Sequence, residues 1–418
     1  MQQPEISASQ EWRRGWALVL AATVGFSFHS MMSNSTGVFM GPLGSEFGWN
    51  RTQLSSGVSI AAGISAVLSP FFGILIDRWG TRRLALPGIV ATGLVIACFS
   101  LMTGAIFQWL ALWCIYAVIS MTVKSTVWTT SVAGAFSAAR GLALGITLCG
   151  VALAQAVAPP LVNWAIETVG WRGAFAYVGL GWAALALLFC IPFLRDFHLD
   201  QARAEGKAYT RDHLTGLSVA QAWRDGALWR LGISTLIIMI LTLGLQVHQF
   251  EILVDAGVTR ANAAWLGSLF GIAGIAGKIV TGVLIDRYSP NWVGGLTLGS
   301  CAISFLLLLD SIRTPAFIVA AIIIAGYAAG TKLQICGYLT TRFAGMRNFG
   351  KIFGMMAALM AAGTSIGPIL AGQVYDNTGS YYYFLIMGVV GSIVSGLLIM
   401  SMPRYPVFQQ PEAKPAVA

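Results

Sequence analysis

Three lysines interrupt long apolar stretches of this chain: Lys124, Lys278 and Lys332. No aspartate or glutamate stands near the middle of the same stretches. A charged side chain is costly in hydrocarbon, so it usually faces a protein interior or a water-filled cavity where it has a function. Three such cations without a central carboxylate predict a cavity that binds an anion. The alternatives are that Lys278 extends toward the nearer membrane surface and that the other two pair with a carbonyl or an acid elsewhere.

Polar and aromatic side chains complete the predicted anion site. Trp128 lies four residues after Lys124, so the two share one face of a helix. The candidate substrate-binding residues beside the three lysines are Trp128, His29, Asn34 and Tyr338. Aromatic residues in membrane helices also serve packing and the interfacial belts, which is the alternative role for the two aromatic candidates.

Two histidines and one glutamate are the candidate proton carriers: His29, His248 and Glu251. Histidine changes charge near neutral pH and can pass protons. Glu251 is the acid that we expect to reach the mouth of the cavity. The alternatives are a hydrogen-bonded histidine in a polar vestibule and a solvated surface acid.

Membrane-spanning helices must position these residues. The chain of 418 residues is 56% hydrophobic and 10% charged, whereas ordinary soluble domains carry about 25% charged residues. A spanning helix needs about 20 apolar residues. The stretches that meet this requirement are 16–40, 54–76, 84–104, 107–133, 141–163, 173–194, 229–252, 262–285, 291–310, 315–341, 351–374 and 380–401. The first is long and has no small-residue cleavage site, so we expect it to remain as a helix.

The net charge of +9 follows from membrane topology and does not indicate nucleic acid. Most of the 25 Lys and Arg residues fall in turns on the side of the termini. The exceptions are the three intramembrane lysines and Arg51, Arg172, Arg260 and Arg313. The positive-inside rule therefore predicts that both termini are cytoplasmic. The six cysteines lie in predicted helices without metal-type spacing, so we expect them to serve packing and predict no metal or cofactor.

The chain consists of two similar halves. Residues 73–79 read GILIDRW and residues 282–288 read GVLIDRY, with their aspartates 209 positions apart in a chain of 418. Parallel repeats of this kind occur in a transporter architecture that binds its substrate near mid-membrane, between the repeats. The predicted units are an N-terminal six-helix bundle at 1–194, a cytoplasmic linker at 195–228, a C-terminal six-helix bundle at 229–402 and a cytoplasmic tail at 403–418.

The segment GILIDRWGTRR at 73–83 resembles the loop signature of the major facilitator superfamily, and the copy at 282–287 extends this resemblance over the whole chain. The resemblance implies an all-α membrane protein with twelve transmembrane helices in two pseudo-symmetric six-helix bundles. It also implies a charge latch that closes the cytoplasmic gate. The residues of that latch are Asp77, Arg78, Arg82, Arg83, Asp286 and Arg287. Basic loops are also what the positive-inside rule predicts without any latch.

Within that superfamily, several local patterns resemble the monocarboxylate transporter group and its bacterial branch. They are EFGWNR at 46–51, GWRGAF at 170–175, GPILAG at 367–372 and YDNTG at 375–379. Lys278 stands where this group has an arginine that binds the substrate carboxylate. The resemblance therefore implies a substrate contact for Lys278, although lysine is a point charge that cannot form the two-pronged contact of a guanidinium.

Three positions depart from the patterns of known members. Asn34 stands where animal monocarboxylate transporters carry a lysine, and Gly274 where they carry an aspartate. Proton transfer would therefore use the histidines or the glutamate named above, or no proton would move. Met356 stands where oxalate/formate exchangers carry a lysine, so oxalate is not indicated.

These features predict a transporter and not an enzyme, since the sequence shows no nucleophile–base spacing, phosphate loop or metal cluster. The predicted activity is secondary active transport of an organic carboxylate by alternating access. The preferred substrate class is a monocarboxylate, aromatic ones included, and the preferred coupling is proton symport. Exchange of two carboxylates and efflux of anionic amphiphiles are the alternatives. The expected partners are a small organic anion, protons and the lipid bilayer, and the expected setting is a monomer in the bacterial inner membrane.

Overall fold

A computed structural model describes residues 8–136, 139–195, 216–345 and 348–406, which are helical almost throughout. The helices of the N-terminal half are α1 (Ala8–Phe47), α2 (Arg51–Trp79), α3 (Thr81–Cys98), α4 (Ile106–Ser120), α5 (Ser125–Ala135), α6 (Arg140–Leu148) and α7 (Gly150–Phe193). Those of the C-terminal half are α8 (Gly226–Asp255), α9 (Arg260–Arg287), α10 (Pro290–Gly299), α11 (Cys301–Leu307), α12 (Pro315–Ala344), α13 (Phe349–Thr378) and α14 (Tyr382–Met400). Residues 196–215 of the predicted linker and 407–418 of the predicted tail lie outside the described ranges.

Nine helical stretches of the described residues are long and apolar enough to cross a membrane. One of them, Leu142–Phe193, has 52 residues, which is about 78 Å of helix against a hydrocarbon layer of about 30 Å. It turns at Gly170, whose φ of 72° lies in the left-handed region that glycine adopts without steric conflict. This stretch therefore supplies two crossings. The nine stretches therefore account for ten crossings, and α2 and the α10–α11 pair add two more, which is consistent with the twelve predicted spans.

The helix connections alternate between two ends of the bundle. We call the end that carries the first and last described residues the terminal face, and the other end the opposite face. At the terminal face, the Arg82 guanidinium donates to the carbonyl oxygens of Leu194 and Ile191. At the opposite face, Trp49 Nε1 donates to the Gly104 carbonyl at 3.2 Å. The N-terminal half is thus held together at both ends by bonds between its own helices.

Lys124 lies at a break between two helices. The sequence predicted one continuous stretch at 107–133, but α4 ends at Ser120, a 3₁₀ turn follows, and Lys124 is extended with φ −72° and ψ 165° before α5 begins. Side-chain hydroxyls at 120 and 122 donate to carbonyls three residues earlier, where they compete with helical N–H groups. Trp128 Nε1 binds a carbonyl of the turn at 2.7 Å. These bonds stabilise the break.

Helices α9 and α12 pack backbone to backbone within the C-terminal half. A Cβ atom added to Gly277 would clash with the Tyr327 carbonyl, and one added to Gly330 would clash with the Gly274 carbonyl. Small residues at such contacts let membrane helices approach closely. The contact fixes the rotation of α9 and therefore the direction in which its one lysine projects.

Candidate functional site

Lys278 lies at the seam between the two halves. Its Nζ atom donates to the Leu148 carbonyl oxygen at 3.4 Å, and Leu148 ends α6 in the other half. Carbonyl groups at a helix end lack helical N–H partners. A Cβ atom added to Gly271, on the lysine's own face of α9, would lie 2.6 Å from the Ala156 nitrogen. The glycine face therefore brings α7 close to α9 beside a partly exposed ammonium group.

Lys124 and Lys332 occupy different environments despite their symmetric sequence positions. Lys124 is partly exposed and donates to Ser69 Oγ of α2 at 2.6 Å. Lys332 is 9% exposed and donates to Thr242 Oγ1 of α8 at 2.8 Å, inside the C-terminal half. Neither these two lysines nor Lys278 takes part in any of the five ion pairs of the described residues. Uncharged oxygens thus serve as acceptors for all three ammonium groups.

Replacement of Lys332 with methionine is expected to stabilise the protein, because burying a single ion costs on the order of several kcal/mol and methionine is an uncharged side chain of similar volume. The midpoint of thermal unfolding in detergent measures this, with the exposed Lys351→Met as the matched control. A lower midpoint in Lys332→Met would show instead that the bond to Thr242 holds the half together. Loss of anion binding in a stabilised variant would place Lys332 in the substrate site.

The two aromatic candidates pack against other helices in this conformation. Trp128 is fully buried, and its ring lies so close to Gly25 of α1 that an added Cβ there would clash with it. Tyr338 is partly buried against the apolar core, six residues nearer the terminal face than Lys332. These placements favour the packing role for both residues.

His29 and Asn34 lie on α1 and differ in what they reach. The His29 ring stacks on Phe26 with centroids 6.1 Å apart, and its Nδ1 has no hydrogen-bond partner among the described residues. Asn34 Oδ1 accepts a hydrogen bond from Gln246 Nε2 of α8 at 2.8 Å. Asn34 therefore joins the two halves, whereas His29 stays within its own.

His248 is fully buried within the C-terminal half. Its Nε2 lies 3.0 Å from the Pro368 carbonyl oxygen and its Nδ1 lies 2.8 Å from the Tyr381 hydroxyl. A carbonyl oxygen can only accept, so Nε2 carries the proton and Nδ1 accepts from the tyrosine. The neutral imidazole is thus fully satisfied. His248 therefore matches the alternative role of a hydrogen-bonded histidine, but it lies in the protein interior and not in a polar vestibule.

Glu251 is 3% exposed, so the alternative of a solvated surface acid is wrong. Its Oε2 lies 2.7 Å from Arg51 Nη1, and its Oε1 lies 3.9 Å from Arg260 Nη2. Burial of a carboxylate requires such compensation. Glu251 is therefore held between arginines that begin α2 in one half and α9 in the other.

Charged groups join the two halves at the opposite face. Arg51 pairs with Glu251 and, at 3.9 Å, with Asp255. The Asp376 carboxylate accepts from the backbone N–H groups of Arg51 and Thr52 at 3.0 and 2.9 Å. A side chain of the C-terminal half thus caps the positive end of α2 in the N-terminal half. We call Arg51, Glu251, Asp255 and Asp376 the outer latch.

Sequence reasoning missed the outer latch, although a signal was present. Arg51 and Asp376 both lie in the patterns EFGWNR and YDNTG that carried the resemblance. Arg51 was assigned only to the outer side, and Asp376 received no role. The contact joins residues that are 325 positions apart, which no local pattern could indicate.

The described side chains leave the predicted gate at the terminal face untested. Arg78, Arg83 and Arg287 are exposed. Arg82 binds the carbonyls at the end of α7, and the side chains of Asp77 and Asp286 lie outside those described. A Cβ atom added to exposed Gly145 or Gly354, nearer the terminal face, would meet no atom within 4 Å. The role of the six predicted residues as a gate stays a prediction.

A small polar cavity lies between the halves. One of its lining residues, Gln155 of α7, was missed by sequence reasoning. The polar lining of the cavity consists of Asn34, Gln155, Gln246 and Gln249. The available signal was a polar residue within an apolar stretch, which is the same kind of signal that identified the three lysines.

The family model described as the Major Facilitator Superfamily matches residues 22–254 and 247–417. The chain belongs to the Major Facilitator Superfamily. This confirms the predicted all-α membrane fold and the first resemblance. As a member of the Major Facilitator Superfamily the protein is a multi-pass membrane transporter of a small molecule, and not an enzyme.

Relatives within the Major Facilitator Superfamily support the second resemblance. Monocarboxylate transporter 13 of Bos taurus is 25% identical over 409 residues, which cover 96% of this chain and 92% of that protein. Monocarboxylate transporter 11 of Mus musculus is 25% identical over 416 residues, covering 93% and 88%. The chain therefore resembles the monocarboxylate transporter group over nearly its whole length.

Solved structures share the fold. A bacterial homologue of the human lysosomal transporter Spinster, in an inward-facing and unoccupied conformation, superimposes with a TM-score of 0.62 at 16% identity, covering 94% of this chain and 95% of that one. The inward-facing and occupied conformation gives a TM-score of 0.65 at 16% identity, covering 92% and 93%.

Proposed function

We propose that this protein is a secondary active transporter of an organic carboxylate, with monocarboxylates, including aromatic ones, as the preferred class. One observation carries the proposal: Lys278 is partly exposed at the seam between the halves, and among the described residues its ammonium group has only the Leu148 carbonyl oxygen as an acceptor. An ammonium group that lies within a membrane-spanning helix and has no carboxylate partner favours binding of an anion. The relatives named monocarboxylate transporters have the matching substrate class in their names.

Alternating access is the proposed transport cycle, and the contacts between the halves support it. The outer latch holds the opposite face closed, and the exposed glycines Gly145 and Gly354 have free space beside them nearer the terminal face. In the proposed cycle the anion binds at Lys278 from the terminal face, the halves rock about the site, and the outer latch opens. The terminal face carries most of the basic turns and is therefore proposed to be cytoplasmic, in a bacterial inner membrane, with the protein acting as a monomer.

Proton symport is the proposed coupling, with Glu251 as its first candidate. A proton on Glu251 would neutralise the charge that faces Arg51 at 2.7 Å and so weaken the outer latch. Exchange of two carboxylates is the second candidate function. It is favoured by His248, whose two ring nitrogens both have partners and which therefore offers no vacant position to a proton without rearrangement.

The test is a thermal-unfolding screen of the purified protein against mono-, di- and aromatic carboxylates at pH 5.5 and 7.5. A ligand near one hundred times its Kd stabilises the folded state by about 2.7 kcal/mol, so we expect a clear rise of the unfolding midpoint with at least one carboxylate. Proton-linked binding strengthens as the pH falls, because the bound state then takes up a proton.

A rise that grows at pH 5.5 supports symport, and a rise that is equal at both pH values supports exchange. The corresponding amides, which lack the negative charge, are the matched control ligands. Equal stabilisation by carboxylates and their amides would contradict the anion site. No stabilisation by any carboxylate would contradict the proposed substrate class.

A further inference from the structure

The polar cavity between the halves is lined by amide side chains that converge from three helices. Asn34 comes from α1, Gln155 from α7, and Gln246 and Gln249 from α8. Its volume is about 30 Å³, enough for one or two water-sized groups. The cavity is therefore too small for a whole organic anion and suited to one substituent of it.

The amides of this cavity are only partly satisfied. Asn34 Nδ2 donates to the Ser30 carbonyl at 2.7 Å, and Gln246 Nε2 donates to Asn34 Oδ1 at 2.8 Å. These two bonds fix the orientation of both amides. Gln155 and Gln249 make no side-chain hydrogen bond to any described residue, although Gln249 is 6% exposed. Buried amides normally have partners, so donors and acceptors are available here for a ligand.

The cavity lies within reach of an anion held at Lys278. Gln155 Oε1 lies 3.9 Å from the position of a Cβ atom on Gly274. Gly274 is one helical turn before Lys278, which is about 6 Å along the axis of α9. The α9 residues that line the cavity, Gly267 and Phe270, precede Lys278 by about 12–16 Å along the axis of the helix. A molecule with a chain of several carbon atoms can therefore contact both places at once.

We propose that Gln155 and Gln249, together with Asn34 and Gln246, form a specificity subsite that binds a neutral hydrogen-bonding substituent of the carboxylate held at Lys278. The substituent class is a hydroxyl, carbonyl or carboxamide group several bonds from the carboxylate, near the other end of the molecule. This inference depends on the proposed function, since it presumes an anion at Lys278. We call these four residues the amide subsite.

The charges around the amide subsite favour a neutral group over a second carboxylate. Of the described residues that line the cavity, none is charged. The Arg260 guanidinium contacts two residues of the cavity lining: it donates to the Val38 carbonyl at 3.3 Å and lies 4.9 Å from the Phe250 ring. It also lies 3.9 Å from Glu251. A second anionic group would therefore find hydrogen-bond donors there but no uncommitted cation.

The experiment compares matched ligands on the purified full-length protein. The probes are butanoate, hexanoate and octanoate, their ω-hydroxy derivatives, and the dicarboxylates of the same length. Affinities are measured by thermal shift over a ligand titration for the wild type, Gln155→Leu and Gln249→Leu. Gln373→Leu, at an exposed position of α13, is the matched control.

We expect at least one hydroxylated probe to bind about tenfold more tightly than its unsubstituted partner, because a site built to hydrogen-bond a group discriminates against the analogue without it. That ratio should fall to about one in Gln155→Leu and Gln249→Leu, and stay unchanged in Gln373→Leu. Gln155 is only partly buried, so its variant keeps the test decisive if Gln249→Leu does not fold.

The possible outcomes distinguish a failure of the amide subsite from a failure of the proposed transport function. Equal binding of hydroxylated and unsubstituted carboxylates would overturn the amide subsite and leave the carboxylate transporter standing. A preference for dicarboxylates that both glutamine variants remove would overturn the choice of a neutral substituent. No binding by any probe would overturn the proposed function and this inference together.

Discussion

Lys278→Ala is expected to abolish measurable carboxylate binding while the protein still folds. The ammonium supplies a positive charge at the seam between the halves, and its acceptor among the described residues is the Leu148 carbonyl. Removing one partner of a buried, hydrogen-bonded charge pair typically costs 2–5 kcal/mol of binding free energy, so the affinity should fall at least about thirtyfold. Thermal shift with the best carboxylate of the screen measures this affinity.

Two further variants control this result. Lys278→Arg keeps the positive charge and is expected to retain binding, with a change in selectivity that reflects the planar guanidinium. Lys351→Ala removes an exposed lysine of α13 and is expected to bind like the wild type. If Lys278→Ala unfolded at a lower temperature but bound with unchanged affinity, Lys278 would be a structural contact between α9 and α6, and the anion site would lie elsewhere.

Loss of the Arg51 side chain is expected to open the opposite face. Arg51→Ala removes the ion pair with Glu251 at 2.7 Å and the weaker one with Asp255 at 3.9 Å. It also leaves the Glu251 carboxylate buried beside only a more distant arginine, and an uncompensated buried charge is strongly unfavourable in the closed state. A change of 2 kcal/mol would shift the ratio of closed to open molecules about thirtyfold.

Distance measurements between two spin labels would show this shift. Ser45 of the N-terminal half and Asn377 of the C-terminal half are exposed at the opposite face, so cysteines placed there in an otherwise cysteine-free protein report its opening. Arg172→Ala is the matched control, since it removes a Glu–Arg pair of the same length, 2.7 Å, that lies within the N-terminal half. We expect longer distances in Arg51→Ala and an unchanged distribution in the control.

The Asp376 cap allows a second, independent test of the outer latch. Asp376→Asn weakens the contact with the N-terminus of α2 but leaves the ion pairs of Arg51 in place. It should therefore lengthen the same distances to a smaller extent than Arg51→Ala. If both variants kept the wild-type distribution, the opposite face would be closed by the packing between the halves and not by charge.

The amino-acid sequence by itself determined the membrane fold and its two halves, and it identified Lys278 as a candidate for anion binding. Hydropathy is a property of about 20 neighbouring residues, and the repeat of the segments at 73–79 and 282–288 can be seen without any structure. An isolated lysine in an apolar stretch is likewise a local signal. The prediction of a bundle of helices needed little more than these patterns.

Only the tertiary structure decided which polar residues meet. Lys124 and Lys332 look equivalent in sequence, but one binds Ser69 at a helix break and the other binds Thr242 inside a half. Their acceptors lie on other helices, and the rotation of each helix depends on close contacts such as that of α9 with α12. The outer latch and the amide subsite arise for the same reason. They join residues hundreds of positions apart, which are brought together by the packing of the two halves and not by any pattern along the chain.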